Sequence, residues 1–170
     1  MKHTMLDDFT DLSGWSAVMS GQPYLPPGTL REVLLPTGRE RAIGDEQITT
    51  VLRTLDLDAV LERTGGLDGE RDWDDVLSLG EQQLLSVARV VLAAPRFVFL
   101  ERPRATLGGA HVDRVLRLLR DRSITYLTLG DGGDRPDDYD IVLELASDGG
   151  WTWRASAAGR EPSEKRRERA

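Results

Sequence analysis

The chain of 170 residues contains no cysteine. That excludes a disulfide framework and any thiolate metal site. The two histidines, His3 and His111, are too few and too far apart to supply a histidine-rich site instead, so no metal is expected. Lysine is almost as scarce, with Lys2 and Lys165 near the two ends and none between them. No apolar run reaches the roughly 20 residues a membrane-spanning helix needs. The opening MKHTMLDDFTDL is too polar for a secretion signal. These absences lead to the expectation of a cytoplasmic protein without direct membrane insertion. Positive charge is the minority sign, 22 basic against 29 acidic residues for a net charge of -7. With no basic stripe, no electrostatic grip on nucleic acid is expected.

What is present suits one domain with its own core, since 39% of the residues are apolar. Trp15 to Met19 reads as a strand, and the GQPYLPPG that follows can continue neither a helix nor a central strand. TLREVLL, with Thr29 or Gly28 near its cap, reads as a brief helix stopped by Pro36. Ile48, Val51, Leu52 and Leu55 recur at helical spacing behind Asp45 as N-cap, and Ala59 to Leu61 add a short turn. Gly65 to Asp75 reads as loop. The apolar positions Leu84 to Leu92 then belong to a long helix ending before Pro95. Phe97 to Leu100 is continuously apolar, as in a parallel strand covered on both faces. A helix through Val112, Val115, Leu116 and Leu119 leads to a second buried-looking strand, Ile124 to Leu129. Asp131 to Asp138 reads as loop, and Ile141 to Leu145 with Gly150 to Arg154 as an antiparallel hairpin across SDGG. Helices alternating with strands make the fold class α/β. Residues 155–170 form a charged tail of disordered composition, which leaves 1–154 as the folded domain. The scattered Trp15, Tyr24, Trp73, Trp151 and Trp153 read as packing residues, and His111 as an ordinary residue near a helix start.

Three blocks occur in a telling order: PYLPPGTLRE (Pro23 to Glu32), DWDDVLSLGEQQ (Asp72 to Gln83) and PRFVFLE (Pro95 to Glu101). Together they resemble the nucleotide-binding domain of ABC transporters over roughly residues 16–154. The nearest type is the half-transporters related to bacterial peptide and vitamin B12 uptake systems and peroxisomal fatty-acyl transporters. The resemblance implies a partial P-loop-NTPase-like fold, with a mostly parallel sheet, a helical subdomain and a C-terminal β-hairpin. It also makes Ser78, Gly80, Glu81 and Gln82 the signature segment, which in the family holds the γ-phosphate bound to the opposite subunit. Backbone N–H groups at a helix start suit an anion. Ser78 and Glu81 at that spacing are equally a capping box, which any helix can use.

Other family elements depart from the pattern. A phosphate-cradling loop requires Lys-Ser/Thr after a glycine-rich turn, and no lysine is placed to supply it. Only about 20 residues precede the Q-loop position, where Gly21 stands in place of the glutamine and Gln22 follows it. The family's Asp-Glu after the apolar strand is Glu101-Arg102 here, and an arginine cannot activate water as a carboxylate does. The D-loop aspartate becomes Gly108, and the switch histidine becomes Asp131. The expectation is a non-catalytic ABC-ATPase-like protein that does not bind ATP in isolation. It would engage a second copy of itself or another protein subunit. Two alternatives stand beside it. One is a repurposed enzyme or small-molecule binder using Glu101, Arg102 and Asp131 at the strand ends, where a pairing of Arg102 or Arg104 with those acids is the plainer possibility. The other is a decayed transporter subunit.

Overall fold

A computed structural model describes residues 16–19, 23–35, 43–130 and 135–155. The chain divides into two units, residues 1–131 and 132–170.

The first unit is built around a three-stranded parallel sheet in the order β1 (Ser16–Met19), β4 (Phe97–Glu101), β5 (Thr125–Leu129). Between β1 and β4 lies a helical part. It opens with the two-residue strand β2 (Gly28–Thr29) and α1 (Leu30–Leu34). Thr29 and Glu32 cap each other there: the Thr29 hydroxyl accepts from the Glu32 N–H, and the Glu32 carboxylate accepts from the Thr29 N–H at 2.8 Å. The next helix, α2 (Asp45–Thr54), has Gly44 rather than the expected Asp45 as N-cap. Asp45 is instead the first helical residue, and its carboxylate is taken by Arg31 at 2.5 Å. Arg31 also donates to Asp68 at 2.8 Å, so one guanidinium ties α1 to the start of α2 and to a later loop. Its two carboxylate partners, Asp45 before Asp68, hold Arg31 firmly in its charged form.

α3 (Asp58–Arg63) follows after Asp56, which takes a left-handed turn. The segment 65–75 departs from the expected plain loop. Glu70–Arg71 form β3, which pairs antiparallel with β2, and Trp73–Val76 form α4. The reason is tertiary. Trp73 is 0% exposed, and a side chain this large pulls its backbone onto the core whatever the local Gly/Asp content. Gly69 is dictated by space, because a Cβ there would lie 2.3 Å from the Thr64 carbonyl oxygen.

α5 (Leu79–Ala93) is the central helix, touching α1, α2, β1, α6 (Pro103–Leu107) and α7 (Gly109–Asp121). Residues Gln82 to Ala88 and Val90 to Leu92 are all buried, so the helix is enclosed on most sides. It ends where Ala94 adopts the left-handed conformation just before Pro95. In β4, Val98 and Leu100 are 0% and 2% exposed, but Phe97 and Phe99 are 38% and 37% exposed. The expectation of a strand covered on both faces is therefore corrected. Burial alternates along β4 because only one face of the sheet is packed among the described residues. β5 follows suit: its expected burial is overturned at Leu127 and Leu129, both exposed. His111 sits near the start of α7 with Nδ1 3.1 Å from the Leu107 carbonyl oxygen, an ordinary helix-start contact.

The second unit is a 3₁₀ turn (Pro136–Asp138) and an antiparallel hairpin of β6 (Ile141–Leu145) and β7 (Trp151–Ala155). Gly149 takes a positive φ in the connection, and the Asp148 carboxylate accepts from the Gly150 N–H. Of the aromatic residues expected to pack, Trp73 does, whereas Tyr24, Trp151 and Trp153 are exposed. Side chains on a two-stranded hairpin have no second layer of their own to enter. Trp15 lies outside the described residues, as does the tail from residue 156 onward. Among the described residues, no helix is long and apolar enough to cross a membrane.

Candidate functional site

Ser78 is the N-cap of α5, with extended backbone. Its hydroxyl accepts from the Glu81 N–H at 3.4 Å, while its own N–H and hydroxyl donate to the Glu81 carboxylate, each at 2.9 Å. The capping box is thus fully formed. It satisfies the N–H groups of Ser78 and Glu81, and leaves those of Leu79 and Gly80 as the first-turn donors the box does not use. Leu79 is 52% exposed, and a Cβ on Gly80 would meet nothing within 4 Å. The start of α5 is therefore an open surface.

Arg63, at the end of α3, completes this arrangement. Its guanidinium grips Glu81 with both ends, at 2.9 and 2.7 Å, and reaches the Val76 carbonyl at 3.4 Å. Hydrogen bonding from Arg63 is the main cause that brings the Glu81 carboxyl down to about 2, partly opposed by burial and reinforced by Ser78. Arg63 is in turn held charged by Glu81. The pair neutralises itself, so the carboxylate does not cancel the positive end of the helix dipole. Nothing in the sequence motif marks Arg63, which lies 18 residues from Glu81 and reaches it only in the folded chain.

Gln82, taken with the signature segment, is placed differently. It is buried, its amide nitrogen donates to the Leu77 carbonyl at 3.3 Å, and its Oε1 is buried without a partner. Ser78, Gly80 and Glu81 share the open end of α5, while Gln82 anchors that end from within.

Glu101 and Arg102 lie at the C-terminal end of β4, both exposed. The Arg102 N–H extends the β4–β5 ladder by donating to the Leu129 carbonyl at 2.9 Å. Its backbone is left-handed, φ 45 and ψ 51, just ahead of Pro103. A proline disfavours the right-handed helical conformation in the residue before it, and the left-handed turn starts α6 directly from the strand end. Arg104 pairs with Asp113 on α7 at 3.0 Å. The short α6 puts Arg104 beside the following helix. Gln22 and Asp131 lie outside the described residues.

No family model matches the chain. Among curated proteins it is 32% identical, over 76% of its own length, to an uncharacterised ABC transporter ATP-binding protein of Synechocystis. It is 31% identical over 76% of its length to the lysosomal cobalamin transporter of Mus musculus. It is 35% identical over 64% to ATP-binding cassette sub-family D member 3 of the same organism. The chain spans only 20%, 23% and 17% of those relatives, respectively. Mixed helix and parallel strand, with the ordered sequence blocks now seen as strand, capped helix and loop, agree with these matches. Across the matched region, the chain belongs with the ATP-binding part of the ABC-transporter family.

Proposed function

We propose that this chain is a non-hydrolysing ABC-ATPase-like protein that presents the open start of α5 to a protein partner. The partner that fits best is an ABC-type subunit whose bound nucleotide would offer a phosphate to the Leu79 and Gly80 N–H groups. The single observation carrying this reading is the self-neutralised Arg63–Glu81 pair, which holds the start of α5 in place without leaving an unpaired Glu81 carboxylate to oppose an anion. Two features of the sequence support the non-hydrolysing part. Positions 3–164 offer no lysine to serve a phosphate loop, and Arg102 follows β4 where the ABC pattern places a water-activating carboxylate.

Purified chain should release no phosphate from ATP above the buffer rate, and Arg102→Glu should not restore turnover. Mixed with the Synechocystis relative and ATP, it should co-sediment, and Gly80→Asp should abolish the complex by placing a carboxylate against the incoming phosphate. Turnover by the chain alone would refute the non-hydrolysing part. A complex indifferent to Gly80→Asp would refute the role of α5.

A second reading, a small-molecule site at the end of β4, is favoured by the left-handed backbone at Arg102, since such strain gathers at ligand sites. A thermal-shift screen of small anions and polar metabolites tests it. Stabilisation lost in Arg102→Ala is the expected result, and no stabilisation by any compound would count against it.

A further inference from the structure

The hairpin of the second unit has two chemically opposite faces. Ile141, Leu143 and Leu145 on β6 lie in register with Ala155, Trp153 and Trp151 on β7, so one face is wholly apolar. The five large side chains there are 58% to 75% exposed. The other face carries Val142, Glu144, Thr152 and Arg154, with Glu144 and Arg154 paired at 3.1 Å.

We propose that the apolar face is an interface between two copies of this chain, hairpin against hairpin across a twofold axis. A two-stranded hairpin is marginal alone in water, so whatever orders it must cover this face. No charged or hydrogen-bonding group on the face, beyond the indole N–H groups of Trp151 and Trp153, is available to select a polar partner. An uninterrupted apolar patch is complementary to itself, as a twofold interface requires. The area also suffices. Two tryptophans and three aliphatic side chains at these exposures offer roughly 600 Å² per copy, which brings a pair to the lower end of stable interfaces. Tryptophan is moreover the residue type that most often anchors such contacts.

Charge around the hairpin argues against a lipid surface. Asp137, Asp138, Asp140 and Asp148 stand beside Arg135 and the neutralised Arg154, which leaves the unit's described residues acidic and repelled by anionic headgroups. The same repulsion between copies is screened by salt. Raising ionic strength should therefore tighten this dimer, whereas it would loosen a complex with a basic partner.

Sedimentation of the whole chain over a range of concentrations, at low and high salt, tests the proposal. The expected result is a monomer–dimer equilibrium strengthened by salt. Leu143→Lys should weaken it at least about tenfold by burying a charge at the centre of the interface. Thr152→Lys, on the opposite face, should leave it unchanged. Far-UV circular dichroism checks that the helices persist in each variant. If Leu143→Lys fails to fold, Leu145→Ser and the concentration dependence of tryptophan emission in the unaltered chain decide instead. A monomer at every concentration would overturn the proposal, whether the hairpin packs within its own chain or stays bare. So would a dimer insensitive to Leu143→Lys or Leu145→Ser, or a blue shift of tryptophan emission that appears only with phosphatidylcholine vesicles.

Discussion

Glu81 shows how one side chain can serve folding and surface chemistry together. It closes the capping box and receives Arg63, and its carboxyl is drawn from the ordinary 4.5 to about 2 by that guanidinium. A carboxyl depressed in the folded state contributes stability that is complete above 4.5 and lost as pH falls toward 2. The contribution is about 1–2 kcal/mol once partial exposure is allowed for. In acid titrations of thermal stability, Glu81→Gln should therefore be less stable at neutral pH and show a flatter decline between those limits. Arg63→Met should do the same without touching the motif. Arg102 gives a prediction of opposite sign. Its left-handed backbone suits glycine, so Arg102→Gly should stabilise the fold by roughly 0.5–1 kcal/mol, read as a melting point about 1–4 °C higher. A lower melting point would mean that the arginine side chain holds more than its backbone costs.

At the scale of elements, α5 dominates. Leu85 is 0% exposed at the centre of a helix that meets most of its unit, so Leu85→Ala should cost about 2–5 kcal/mol in urea unfolding. Ser78→Ala removes only a cap and should cost about 1 kcal/mol. This helix was legible in the sequence, because Ser78, Glu81, the run from Leu84 to Leu92 and Pro95 each mark a boundary or a buried face by local chemistry. β4, α7 and the hairpin strands were legible for the same reason. The pairing of β2 with β3 and the short helix α4 were not, since both depend on contacts with groups far apart in sequence. Arg31 was invisible in the same way: its reach to Asp45 and Asp68 spans 14 and 37 residues. At the candidate site, the capping box of Ser78 and Glu81 was legible from their spacing. Arg63 left no trace there because an ion pair has no periodicity, and the inward turn of Gln82 was not legible because a polar residue beside a motif gives no sign of which way it faces.

At the largest scale, the decisive feature is a parallel sheet that, among the described residues, is packed on one face. Such sheets are ordinarily covered on both. The two sides should respond differently to substitution. Val98→Ala, in the packed layer, should lower stability by about 1–3 kcal/mol, while Phe99→Ser should cost the isolated chain less than about 1 kcal/mol. Equal losses in denaturant titrations would show that a second layer covers Phe99 in solution.

The parallel pairing of β1 with β4 carries a further consequence, for synthesis. Ser16 meets Phe97, roughly eighty residues downstream, so β1 waits for that much more chain to leave the ribosome before it finds its neighbour. Until then its backbone donors and acceptors have no ladder to join. A nascent chain that pauses before residue 97 would hold a strand competent to pair with the wrong molecule, and chaperone dependence should be greatest in that interval.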